Sequence, residues 1–141
     1  MAKDERFEFH LIGGDTCATN LPANVQVHPF LSDRKTLLAR IREFDVLLHI
    51  PSHEPWGLVI NEAQACGLAC IVSDNVGAVE CVEGAGLIIA NDENLNTRVI
   101  DALFLYARDT QLLQNHRVEA IKRAHYYSYE QLISKMTELL S

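Results

Sequence analysis

The chain has 141 residues, 48% apolar and 22% charged, with a formal charge of −7 and a pI near 5.3. Such apolar content excludes a disordered segment, and the acidic balance without a basic stripe argues against a nucleic-acid partner. No run approaches the roughly 18 apolar residues of a membrane span, and Met1 opens no apolar signal stretch, so one domain in the cytoplasm is the expectation.

Three short apolar segments bounded by turn residues read as strands: 7–12 before Gly13-Gly14-Asp15, 45–50 before Pro51, and 68–72 before Ser73-Asp74. Val25 to Val27 and Gly86 to Ile89 are weaker candidates. Asp33 is placed to cap a helix carrying Leu37, Leu38 and Ile41. A second helix runs from Leu58 to Cys66, with Gly67 as its left-handed stop. Leu95, Val99, Leu103 and Tyr106 recur at helical spacing, and Gln111 to Ala124 continues as another helix. Ser128 and Gln131 read as a capping box ahead of an apolar face of Leu132, Ile133, Met136, Leu139 and Leu140. Strands alternating with helices imply an α/β fold, a doubly wound parallel sheet with a helical C-terminal end. Cys17, Cys66, Cys70 and Cys81 form no C-x-x-C pair, so buried reduced thiols are expected.

In such folds ligands bind outside the carboxyl ends of the strands. The rule points to Gly13-Gly14-Asp15, to Pro51 through Gly57, and to Ser73 through Gly77. In the middle loop Glu54 precedes a helix, and Glu62 is expected about two turns inside it. The amides of Gly57, Leu58 and Val59 would be free donors at that helix start, suited to an anionic oxygen. Two carboxylates there would accept hydrogen bonds from sugar hydroxyls. The plainer alternative is a helix with an ordinary first turn and a solvent-facing Glu62. Trp56 reads equally as a stacking or a packing residue. His49 and His53 flank Pro51-Ser52, but their neighbouring carboxylates need no metal to explain them. His10 reads as a satisfied core histidine, Ser73-Asp74 as a turn that caps the next element, and the late cations from Arg98 to Arg123 as solvated faces.

The run Pro51-Ser52-His53-Glu54-Pro55-Trp56-Gly57-Leu58-Val59-Ile60-Asn61-Glu62-Ala63-Gln64-Ala65-Cys66-Gly67 resembles the E-x7-E signature of retaining glycosyltransferases of the GT-B fold, family 4. The likeness extends through Asn24-Val25-Gln26-Val27-His28-Pro29-Phe30-Leu31 and through Ile71 to Glu80, where the family carries S-D-x-G-G-x-x-E. Tyr127-Ser128-Tyr129 matches the start of the family's closing helix. The resemblance implies the C-terminal, Rossmann-like donor-binding half of such an enzyme, moving a hexose-type unit from a nucleotide-diphosphate sugar to an acceptor hydroxyl. Glu54 would hold the donor sugar at the reaction centre, as the catalytic residue. Glu62 would bind the ribose, and the backbone of Trp56, Gly57, Leu58 and Val59 the sugar and diphosphate, with Gly13 and Gly14 matching the family's glycine turn. The base would lie near Val27 to Phe30.

The resemblance further implies no metal and no cofactor, and a partner in an N-terminal acceptor domain, on the same or a separate chain. Any contact with the inner face of a membrane would be made through that missing domain. It also implies that residues 1–141 form one domain lacking its first strand-helix unit, the one carrying the family's G-R-x-x-x-x-K-G diphosphate clamp. From residue 43 to residue 97 there are nine Asp or Glu and no Lys or Arg. Weak donor binding and little or no transfer by the isolated chain are therefore expected. The alternative is a non-catalytic nucleotide- or partner-binding module derived from that domain. Polysaccharide or glycolipid biosynthesis is the expected setting.

Overall fold

The computed structural model describes residues 4, 6–14, 20–128 and 137. The chain divides into two compact units, Met1–Arg40 and Ile41–Ser141. Every strand pairing among the described residues is parallel, so the fold is α/β as the alternation of elements requires.

In the first unit β1 (Phe9–Ile12) pairs with β2 (Val25–His28), in register from Phe9 opposite Val25 to Ile12 opposite His28. Asn24 ties the strand entry down, its side-chain amide donating to the carbonyls of Phe7 (2.9 Å) and Asp4 (3.3 Å). His10 is satisfied, as expected of a core histidine. Its Nδ1 lies 2.8 Å from His28 Nε2 and its Nε2 lies 3.3 Å from Glu8. Helix α1 (Arg34–Ile41) starts where Asp33 accepts from the Thr36 hydroxyl and from the Thr36 amide at 2.8 Å, and these bonds, the hydroxyl's first, hold the Asp33 carboxyl below its usual range.

In the second unit β3 (Val46–His49), β4 (Ala69–Ser73) and β5 (Gly86–Ile89) form a sheet in that order. β4 is buried along its whole length because its side chains are apolar or small on both faces, as a central parallel strand requires. Helix α2 (Leu58–Ala65) connects β3 to β4, and a 3-10 turn (Val79–Val82) connects β4 to β5. Gly67, at φ +83°, ends α2 as its expected left-handed stop. Two helices follow, α3 (Leu95–Arg108) and α4 (Thr110–Tyr126), separated at Asp109, whose carboxylate caps α4 by accepting from the Leu112 amide at 2.8 Å. α4 packs on α2 and β4, and α3 on β5. Ile60, Leu68, Ile71, Val72 and Val82 fill the core. Cys66, Cys70 and Cys81 are free thiols. Burial pushes Cys70 up to about 12, which keeps it protonated.

Two expectations are corrected. Arg117 is not a solvated cation: its guanidinium donates to the Gly67 carbonyl at 2.9 Å and to Asp45 at 2.7 Å, bolting α4 to the end of α2 and the start of β3. Asp74 caps no following element; the 3-10 turn has no side-chain cap, and Asp74 accepts the Asn91 amide at 3.0 Å. Asp15, Cys17, Tyr129, Gln131 and the apolar face from Leu132 to Leu140 lie outside the described residues. No helix among the described residues is long and apolar enough to cross a membrane.

Candidate functional site

The loop between β3 and α2 follows the carboxyl end of the sheet and is fixed by its neighbours. Glu54 forms a parallel bridge with Val76, accepting from the Gly77 amide (2.9 Å) and donating its own amide to the Asn75 carbonyl (3.3 Å). One step on, the Trp56 carbonyl accepts from the Ala78 amide at 2.8 Å. Gly77 permits this approach: a Cβ there would stand 1.9 Å from the Pro55 carbonyl oxygen. The ends of all three strands are laced as well. The Pro51 carbonyl accepts from Ser73 Oγ (3.3 Å) and Asn91 Nδ2 (3.4 Å), and the Ser52 carbonyl from Asn75 Nδ2 (3.0 Å).

Gly57 opens α2 in the left-handed conformation, φ +92°, and is buried. A Cβ at this position would come within 2.9 Å of Val76 and 3.1 Å of Ile60, so only glycine turns the loop into the helix here. The first turn of α2 has no side-chain cap and no acidic residue. Its leading amides, Leu58 and Val59, have no intrahelical acceptor and carry the positive end of the helix dipole.

Glu54 is half-buried and its carboxylate lies 3.4 Å from the Trp56 amide, turned back over its own loop. Glu62 is the fifth residue of α2, one turn beyond Leu58 on the same face, and so nearer the helix start than the two turns expected. It is half-buried and lies off the packed face formed by Ile60, Ala63 and Gln64. Trp56 and Leu58 are exposed, 49% and 68%, and Val59 is half-buried. The structure thus gathers Glu54, Trp56, Gly57, Leu58, Val59 and Glu62 on one loop and one helical turn. Gly13 (φ +80°) and Gly14 form the turn after β1 in the first unit.

His53 is exposed, whereas His49 Nε2 is buried without a partner among the described residues. The described residues contain no group of three or more His, Cys, Asp or Glu arranged to hold a metal ion. Sequence reasoning missed Asn75 and Asn91, whose side chains lace the loop. Both stand within a few residues of a strand end, which was the one available signal.

The family model for glycosyl transferases group 1 matches residues 15–123. The chain belongs to that family. Solved structures agree on the fold of this group 1 chain, which is Rossmann-like and of the GT-B kind. Sucrose-phosphate synthase from Thermosynechococcus elongatus superposes with a TM-score of 0.75 at 23% identity, over 93% of this chain and 37% of that one. HepE of Anabaena, solved with UDP and glucose, gives 0.67 at 26% identity, over 85% and 32%. A glycosyltransferase from Rickettsia africae gives 0.69 at 20% identity, over 94% and 39%. The group 1 chain therefore spans about a third of the length of such structures. No protein of curated function matches it significantly by sequence.

Proposed function

We propose that this chain is the donor-binding part of a retaining glycosyltransferase of family 4, transferring a sugar from a nucleotide-diphosphate sugar to an acceptor hydroxyl. The observation that carries the reading is the fixed loop from Pro51 to Gly57, which delivers a carboxylate and the uncapped start of α2 to one place at the carboxyl end of the sheet. In this reading the amides of Gly57, Leu58 and Val59 take the diphosphate oxygens, and the dipole of α2 favours the charge that builds on the departing nucleoside diphosphate. Glu54 takes hydroxyls of the sugar beside the reacting carbon, while the acceptor hydroxyl attacks from the face the diphosphate leaves. Glu62, one turn along, takes the ribose hydroxyls through charge-assisted bonds. Gly13 and Gly14, the turn after β1 in the first unit, correspond to the family's glycine turn. No metal is called on, because amides and basic side chains share the phosphate charge.

Each unit is read by itself as a portion of a Rossmann-like fold, with parallel strands β1-β2 in the first and β3-β4-β5 in the second. The acceptor is held by an N-terminal domain, and any membrane contact is made there. HepE and its UDP and UDP-glucose complexes support a nucleotide-sugar as the ligand class.

Ligand-observed NMR titration of the chain with UDP-, GDP- and dTDP-sugars tests the reading. Saturable binding of one nucleotide series, weakened about tenfold or more in Glu62→Ala, is the expected result. Equal affinity in the variant, or no binding of any series, counts against it.

A further inference from the structure

We infer that the indole of Trp56 is a platform for the apolar face of the donor's hexopyranose ring, an inference that rests on the function proposed above. A pyranose is polar around its rim, where the hydroxyls project, and apolar on the faces that carry its C–H bonds. A site that selects a sugar rather than a bare nucleotide needs acceptors for the rim and a flat apolar surface for one face. The loop offers both within three residues. Glu54 supplies the carboxylate, and its position is tied to the backbone amide of Trp56 at 3.4 Å. Gly57 follows directly, leading into the amides assigned to the diphosphate, and the sugar is bonded to that diphosphate.

The backbone under Trp56 is held from two sides, by its carbonyl bond to Ala78 and by the close seat of Gly77 under Pro55. Yet its side chain makes no hydrogen bond, ring or cation contact among the described residues. It is 49% exposed. Leu58 beside it is 68% exposed and extends the apolar surface. An aromatic ring on a backbone already fixed loses little further freedom when a ligand settles on it, which is the condition for an efficient binding surface. A packing role would instead bury the ring, as Tyr106 is buried in the same unit.

The chain contains a single tryptophan, so its fluorescence reports on this ring alone. UDP-glucose, GDP-mannose and dTDP-glucose are each titrated against the matching free nucleotide, with ligand-observed NMR in parallel. The expected result is a saturable change in emission with the sugar-bearing ligand of the series that NMR detects, and none with its free nucleotide. Trp56→Ala weakens that nucleotide-sugar about tenfold and leaves the free nucleotide within about twofold, and Trp56→Phe restores most of the loss. Emission that stays silent, or moves equally with the free nucleotide, while NMR shows nucleotide-sugar binding overturns the platform and leaves the donor-binding reading standing. Equal weakening of both ligands in Trp56→Ala overturns it too, since that marks a structural role. Absence of any nucleotide binding by NMR overturns both.

Discussion

At the scale of single residues, three glycines separate two physical demands that a sequence shows only as the letter G. Gly84 has φ +73° and its missing Cβ would meet only an Arg123 guanidinium nitrogen at 4.0 Å, an ordinary contact, so Gly84→Ala measures backbone strain nearly alone, about 1 kcal/mol. Gly57 adds to a positive φ a contact of 2.9 Å with Val76, a side chain that can shift. Gly77 has no positive φ, but its missing Cβ would overlap the backbone carbonyl of Pro55 at 1.9 Å, and backbone cannot move aside without breaking the Glu54–Val76 bridge. Chemical denaturation should therefore rank the alanine variants Gly84, Gly57, Gly77 in order of increasing cost, with Gly77→Ala losing about 2–4 kcal/mol. A Gly77→Ala protein as stable as Gly84→Ala would remove the argument that this contact fixes the loop. The demand at Gly77 was not legible in the sequence, because it depends on a carbonyl 22 residues away in the chain.

At the scale of elements, α3 and α4 meet through a half-buried polar contact: Tyr106 Oη and His116 Nδ1 lie 2.8 Å apart. Burial lifts the Tyr106 phenol above its ordinary range, so the hydroxyl donates and His116 must be neutral to accept. Burial also holds His116 below the ordinary histidine value. A depressed folded-state pKa means that the unfolded chain takes up the proton first as pH falls. The contribution to stability is therefore complete above about pH 6.5 and is lost as pH falls through the lower folded value. The melting temperature should drop more steeply between about pH 7.5 and 5 in the wild type than in His116→Gln, which has no proton to take up there. Parallel pH profiles would show that His116 carries none of this dependence. Helical spacing places Tyr106 on the apolar face of α3, but its contact with His116 crosses the break at Asp109 and was not legible. The elements were legible because each rests on local chemistry: Asp33 as a cap, Gly67 as a stop, the apolar run of β4. Arg117 was misread because its partners, Gly67 and Asp45, are remote in sequence and only the packing of α4 on α2 and β4 brings them to it.

At the scale of the whole molecule the distribution of charge decides how tightly a diphosphate can be held. From residue 43 to 97 there is no Lys or Arg, and beyond it Arg98 pairs with Asp92 at 2.8 Å, Arg117 with Asp45 at 2.7 Å, and Lys122 with Glu119 at 3.0 Å. The start of α2 offers amides and a dipole worth about 0.3–2 kcal/mol per charge, set against two carboxylates on the same loop and helix. In the donor-binding reading the family's G-R-x-x-x-x-K-G segment supplies an Arg and a Lys to the diphosphate, each through a charge-assisted bond worth about 1.5–3 kcal/mol. Two such bonds correspond to roughly a hundredfold in affinity or more. Residues 1–141 should thus bind their nucleotide-sugar only in the millimolar range, and calorimetry on the chain with a strand-helix unit carrying that segment joined ahead of residue 1 should show at least a hundredfold gain. Replacing that unit's Arg and Lys by Gln should return the affinity to that of the shorter chain, since the loop, the α2 amides and Glu62 are unchanged. A gain that survives both replacements would mean that the added unit acts by steadying the sheet rather than by neutralising the phosphates.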